Sequence, residues 1–346
     1  MTTPVNVVTG FLGSGKTTLI ARLLRDPQLA NTAVIINEFG EVGLDQALVE
    51  PIRGDVVLLA QGCLCCALNG DLATTLEVLD SKRTAGIVPD FDRVIVETTG
   101  VADPAPVLQT ILDRPMLLRG YRLGHVVTTV DAVAGAGTLD RHGEAVRQAA
   151  IADCLLVTKT DLAGEAQSDA LRLRLSVVNS CAPIRCVSHG EIEAAALFGD
   201  ENELASPQPR PRLGEFARPD TASAGGHGHR MATVVLEFPG PLPYTALRQW
   251  LGDLVGAHGD RLLRVKGIVA IRGQDRPVLV NGVQHLFHPP RQLQAWPAGL
   301  ASSTLVFILD GLDPSVVVES AVRAGLSPTD PPTTPDDKEG TTHDHR

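Results

Sequence analysis

Short apolar runs alternate with longer amphipathic stretches along the first 200 residues of the chain. VNVV (5–8), AVIIN (33–37), VVLLA (56–60), RVIVE (93–97), VVTTV (126–130), CLLVTK (154–159) and PIRCVS (183–188) read as strands. Several are apolar almost throughout, the pattern of parallel strands buried on both faces. Helical spacing separates them at 16–25, 71–82, 142–150 and 167–178. Alternating units of this kind predict an α/β fold, a doubly wound and mostly parallel sheet covered by helices on each side.

The pattern breaks near residue 200. Residues 201–230 are proline-containing, aperiodic and end in GGHGHR, so they read as a flexible linker. Periodicity returns with MATVVLEF (231–238), a helix over 243–256, strands near 262–271, 277–282 and 304–309, and a helix over 313–323. This predicts a smaller α+β domain over 231–326, after a first domain of 1–200. From Ser327 to Arg346 the chain is rich in Pro, Thr and Asp and reads as a disordered tail.

Composition narrows the function classes. The chain has 346 residues, 44% hydrophobic and 20% charged, enough for a large core without disulfide staples. A formal net charge of −10 argues against a broad surface for nucleic acid or anionic membrane. No apolar run approaches the length of a membrane-spanning helix, and the opening MTTPVNVVTG lacks the basic and apolar regions of a signal peptide. The expected location is cytoplasmic, with thiols reduced.

GFLGSGKT (10–17) follows the first predicted strand and opens the first predicted helix. Glycines at this spacing let backbone N–H groups approach a phosphate at a helix N-terminus. Gly10, Gly13, Ser14, Gly15, Lys16, Thr17 and Thr18 are therefore nucleotide-binding candidates. Lys16 would reach the β- and γ-phosphates, and Thr17 would ligate Mg²⁺. ETTG (97–100) ends another strand, where Glu97 is placed to hold Mg²⁺ and Gly100 to present its N–H to the γ-phosphate. NEFGEVGLD (37–45) follows the second strand, and Asp45 could orient the attacking water or bind Mg²⁺. Each of its acids, Glu38, Glu41 and Asp45, could equally be a solvated loop carboxylate.

TKTD (158–161) ends the sixth strand. A carboxylate at Asp161 could accept both the N1–H and the 2-amino hydrogens of guanine, a donor pair adenine lacks, while Lys159 packs its stem along the base. The alternative is a helix-capping Asp161. Thr158 stands where Asn is usual, at the expense of an amide that often braces the loop. SHG (188–190) follows the next strand, where Ser188 is a candidate second contact to the base.

Half of the six cysteines, Cys63, Cys65 and Cys66, fall in GCLCC. A bridge between adjacent cysteines would be strained, since their Cα atoms lie about 3.8 Å apart. Packing suits one buried cysteine better than three. Three thiolates suit Zn²⁺, with Cu(I) also open, and leave one tetrahedral position for Glu41, a water or a client's ligand. Cys154, Cys181 and Cys186 lie in or beside apolar strands and read as packing residues.

GFLGSGKTTL, NEFGEVGLD, GCLCC, ETTGVADP and TKTD resemble, in order and spacing, the CobW family of metallochaperone P-loop GTPases, relatives of HypB and UreG. Within it the chain is most similar to the zinc-handling, YjiA-type members. LLRVKGIVAI and LVNGVQHLFH extend the resemblance to the family's C-terminal domain. The resemblance implies GTP hydrolysis with Mg²⁺, zinc carried on the CxCC motif and handed to a client metalloprotein, and a homodimer by analogy. Delivery of cobalt or nickel, or a GTP-dependent switch with structural zinc, stays open beside that reading. His227/His229 and His343/His345 are what remains of the long His-rich stretch many members carry; they could be incidental or could capture metal.

Overall fold

The computed structural model describes residues 2–36, 57–60, 72–113, 117–198, 231–297 and 302–329. All seven strands expected in the first 200 residues form one sheet: β1 (Thr3–Gly10), β2 (Thr32–Ile36), β3 (Val57–Ala60), β4 (Arg93–Glu97), β5 (Tyr121–Asp131), β6 (Cys154–Thr158) and β7 (Ile184–Cys186). Their order is β3-β2-β4-β1-β5-β6-β7, and every pairing is parallel.

Alternation along the strands explains the near-continuous apolar runs. Val7, Val94 and Val96 face a core shared with α2 (Leu72–Thr84), α3 (Ala105–Asp113), α6 (Gly143–Ala150) and α7 (Glu165–Val178). Val8, Ile95 and Leu156 face the opposite side, against α1 (Lys16–Leu23) and α8 (Ala194–Phe198). Both faces are thus covered, and each buried aliphatic side chain contributes about 1.5–3 kcal/mol. Four further helices of the first unit, α3, α4 (Leu117–Gly120), α5 (Gly135–Arg141) and α8, were not anticipated. α3 sits among Pro104 and Pro106, and α5 contains Gly135 and Gly137, so local propensity hides both.

The second sheet is antiparallel. Its strands are β8 (Met231–Phe238), β9 (Leu262–Val269), β10 (Val278–Val283), β11 (Leu286–Phe287), β12 (Arg291–Gln292) and β13 (Ser303–Asp310). The path runs β11-β10-β9-β13-β8, with β12 on β10. α9 (Tyr244–His258) and α10 (Pro314–Arg323) cover one face, where Trp250 packs edge-on to Phe238 and Phe307 and donates to Ser320 Oγ at 2.8 Å. Thr329 donates its backbone N–H to Glu237 O at 2.8 Å, so the tail expected from Ser327 begins as a segment packed on β8.

The opposite face of this sheet meets the first unit. Leu263, Val283, Leu286 and Ile308 join the core containing α6. Arg264 and Lys266, two residues apart on β9 and so on one face, both reach Asp153, which precedes β6. Arg264 is 1% exposed and Asp153 4%. Asp153 Oδ2 also accepts from Val126 N at 3.0 Å. Burial alone would raise the Asp153 pKa, but the charges of Arg264 and Lys266 outweigh it and hold the carboxyl far below the usual range.

Candidate functional site

The C-terminal ends of β1, β4, β5 and β6 lie side by side in the sheet, and the sequence motifs leave from them. Open α/β sheets form their sites at this edge. β1 runs straight into the glycine-rich loop. Gly10 (φ 139°) could carry no side chain, because a Cβ would lie 2.3 Å from Thr129 O. Gly13 and Gly15 also have positive φ, and Gly15 caps α1 in the left-handed conformation.

Neighbouring strands fix this loop from below. Ser14 Oγ shares a 2.7 Å hydrogen bond with Thr129 Oγ1 on β5. Thr158 Oγ1 donates to Ser14 O at 2.7 Å. This corrects the expectation that replacing Asn by Thr158 loses the brace: a hydroxyl at the end of β6 reaches the same backbone. Lys16 is 5% exposed, and its ammonium donates to Gly10 O at 3.0 Å and lies 3.4 Å from Phe11 O, folded across the loop. Thr18 is exposed in the first turn of α1.

Thr17 and Glu97 meet. The Thr17 hydroxyl donates to Glu97 Oε1 at 2.7 Å, and Glu97 is 1% exposed at the end of β4. Two hard oxygen donors from adjacent elements suit a small cation such as Mg²⁺. Gly100 follows and presses on the loop: a Cβ there would lie 2.6 Å from Leu12 N.

The base-reading candidates converge at the neighbouring edge. Lys159 takes φ 56° and its ammonium donates to Asp131 Oδ2 at 2.6 Å. Burial would raise the Asp131 pKa, but the Lys159 hydrogen bond and the N–H groups of Val133 and Ala134 hold it below the ordinary value. Asp131 therefore stretches the Lys159 stem between the ends of β5 and β6. Asp161 Oδ2 lies 3.6 Å from His189 Nε2. His189 (φ 52°) and Gly190 (φ 73°) turn the loop that begins at Ser188, and Thr160 Oγ1 donates to Val187 O at 3.1 Å to hold the two loops together. Lys159 and His189 are two of three non-glycine residues among those described with positive φ, a conformation that clusters at functional sites.

Asp131, Thr129 and His189 were missed by sequence reasoning. Asp131 had one signal, a lone acid ending the apolar run VVTTVD. Glu41 and Asp45, with Glu38, and Cys63, Cys65 and Cys66 lie outside the described residues, as do the His pairs at 227/229 and 343/345. Among the described residues no three His, Cys, Asp or Glu side chains cluster as metal ligands. Cys154 is buried, and burial pushes its thiol up to about 11, as a packing residue requires. Cys186 departs from that expectation: it is exposed on the sheet-edge strand β7, and Cys181 is half-buried.

A P-loop closed over a parallel sheet, a Thr–Glu pair at its mouth and two paired loops beyond β6 and β7 define a P-loop nucleotide hydrolase. Residues 4–185 match the family described as CobW/HypB/UreG, nucleotide-binding domain, and residues 231–327 match the cobalamin synthesis protein CobW C-terminal domain. The chain belongs to this CobW family of P-loop GTPases, as its five motifs implied. It is similar to the zinc chaperone YjiA of Escherichia coli K12, 34% identical over 88% of this chain and 93% of the relative. Identity to the zinc chaperone CobW of Pseudomonas aeruginosa is 32%, over 94% of this chain and 92% of that one. The crystal structure of Zn(II)-bound YjiA GTPase from E. coli superposes with a TM-score of 0.70 at 30% identity, covering 94% of this chain and 99% of that chain. Among the described residues no helix is long and apolar enough to cross a membrane.

Proposed function

We propose that the protein hydrolyses GTP to load and deliver zinc, its cargo, to a client metalloprotein. The nucleotide half rests above all on the Thr17–Glu97 contact at 2.7 Å, at the mouth of a glycine loop that β5 and β6 brace. Gly13 to Thr18 would wrap the β-phosphate. Lys16, now held by Gly10 O and Phe11 O, would turn its ammonium onto the β- and γ-phosphates. Thr17 and Glu97 would hold Mg²⁺, which when bound neutralises charge on the phosphate oxygens. Gly100 would present its N–H to the γ-phosphate, and Asp45 would orient water. Asp161 would accept from guanine N1–H and the 2-amino group, with the Lys159 stem against one face of the base and the Ser188 loop beside it.

Zinc would bind to Cys63, Cys65 and Cys66, with Glu41 as a fourth ligand. GCLCC itself supports this, together with similarity over nearly the whole chain to proteins named zinc chaperones. Because NEFGEVGLD lies between the P-loop and GCLCC in the chain, the γ-phosphate could reshape the thiol site as it organises that segment. Two variants separate the halves. C63S/C65S/C66S should lose tight zinc binding and keep GTP turnover, whereas K16A should lose turnover and still bind zinc when nucleotide-free. Tight zinc binding by the triple variant would refute the thiol assignment, and undiminished turnover by K16A the P-loop assignment.

A further inference from the structure

Gln148 is a polar residue where the fold calls for an apolar one. It lies in α6 between Arg147 and the buried Ala149 and Ala150, and it is 0% exposed. Buried glutamines are uncommon, and a buried amide is tolerated when its hydrogens find acceptors. Here both find backbone. Gln148 Nε2 donates to Gly100 O at 3.2 Å and to Ala102 O at 3.0 Å. One side chain thus spans Val101 and clamps the carbonyls on either side of it, immediately after Glu97 and its following Thr-Thr-Gly. The clamp is itself fixed, because Thr128 Oγ1 on β5 donates to Gln148 O at 2.7 Å.

The same helix also touches the phosphate loop. His142, the residue before α6, stacks on Phe11 with ring centroids 4.4 Å apart. A cavity of about 30 Å³ lies between the loop and α6, lined by Phe11, Leu12, Ser14, Thr129 and Gln148. Gln148 Oε1, buried at this cavity, has no hydrogen-bond partner among the described residues. The Gly100–Ala102 segment is therefore pressed on Leu12 from one side and drawn toward α6 from the other.

We propose that Gln148 is a positioning residue for GTP hydrolysis: its amide sets the backbone of Gly100–Ala102 so that the Gly100 N–H meets the γ-phosphate. The inference rests on the reading of Gly100 given above. Gln148 makes no contact with nucleotide in this scheme, and it acts only through the two carbonyls. Its removal should therefore weaken what depends on the γ-phosphate and spare what does not. GDP has no γ-phosphate, so GDP affinity is the internal control.

The test replaces Gln148 by Met, which keeps the length and removes both donors. Affinities for GDP and for a non-hydrolysable GTP analogue are measured by calorimetry, with kcat and KM for GTP. Losing two buried hydrogen bonds to the segment should lower analogue affinity relative to GDP, and kcat, by about tenfold or more, with GDP affinity within about twofold of wild type. A purely structural role would lower both affinities together, and that result, or an unchanged ratio and kcat, would overturn the proposal. Should Q148M not fold, hydrogen exchange on the unaltered protein decides. Exchanging GDP for the analogue should change protection in residues 100–103 and in α6 together. A change at 100–103 with α6 unaffected refutes the clamp alone. No change at 100–103 refutes the Gly100 reading and the clamp with it.

Discussion

Asp153→Asn is the perturbation whose size follows most directly from the geometry. It leaves Arg264, 1% exposed on β9, without its carboxylate. Arg264 Nε and Nη1 already have no partner among the described residues, so the guanidinium has little else to turn to. Breaking a buried pair by removing one partner costs about 3–5 kcal/mol. The reverse change, Arg264→Met, should cost less, because Asp153 keeps Lys266 at 3.5 Å and Val126 N–H at 3.0 Å. The double variant should recover part of the D153N loss, since the stranded charge goes with it. Both tryptophans, Trp250 and Trp296, lie in the second unit, so their fluorescence reports its release in urea. With a slope of about 3 kcal/mol per molar urea, D153N should lower the midpoint by about 1 M or more. The sign with pH also follows. The Asp153 pKa is depressed in the folded state, so its stabilisation is present above the unfolded carboxylate pKa, about 3.9, and is lost as pH falls below it. The gap between wild type and D153N should therefore narrow below about pH 4. A D153N midpoint within about 0.3 M of wild type at pH 7, or no recovery in the double variant, would refute the reasoning.

Three further outcomes follow from single groups. Burial, and then the charge of Arg264, pushes His288 down to about 4 from 6.5, so the fold holds it neutral and loses up to about 3 kcal/mol as pH drops through that interval; H288Q should flatten this slope in urea titrations. T158V removes the donor to Ser14 O and should weaken GTP and GDP binding alike by about 5–30-fold in calorimetry, whereas T158N, whose amide can reach that carbonyl, should lose less. D161N should reduce GTP affinity by about a hundredfold and leave weak ATP binding unchanged; retained discrimination between the two would place the base elsewhere.

Much of this was legible from the chain, for identifiable reasons. Strands buried on both faces leave continuous apolar runs, so all seven strands of the first sheet could be read, and the glycine motif carries its own strand-loop-helix context. The contacts between distant segments were hidden. Thr158 read as a lost amide, and only the approach of Ser14 O shows that a hydroxyl suffices. Asp153 was a single polar residue beside apolar neighbours, Gln148 stood between Arg147 and two alanines, and Arg264 and Lys266 were the two charges in LLRVKGIV. Such residues signal a buried partner without saying which. Cys186 misled because β7 lies at the sheet edge, a position that strand composition does not encode.

The central claim, that nucleotide state governs a zinc site on Cys63, Cys65 and Cys66, is tested most directly by one comparison. Zinc affinity of the intact protein is measured by chelator competition, once with GDP and once with a non-hydrolysable GTP analogue, both with Mg²⁺. The account predicts affinities differing by about 5–150-fold between the two states, a difference absent from C63S/C65S/C66S. Equal affinities in the two states would contradict it.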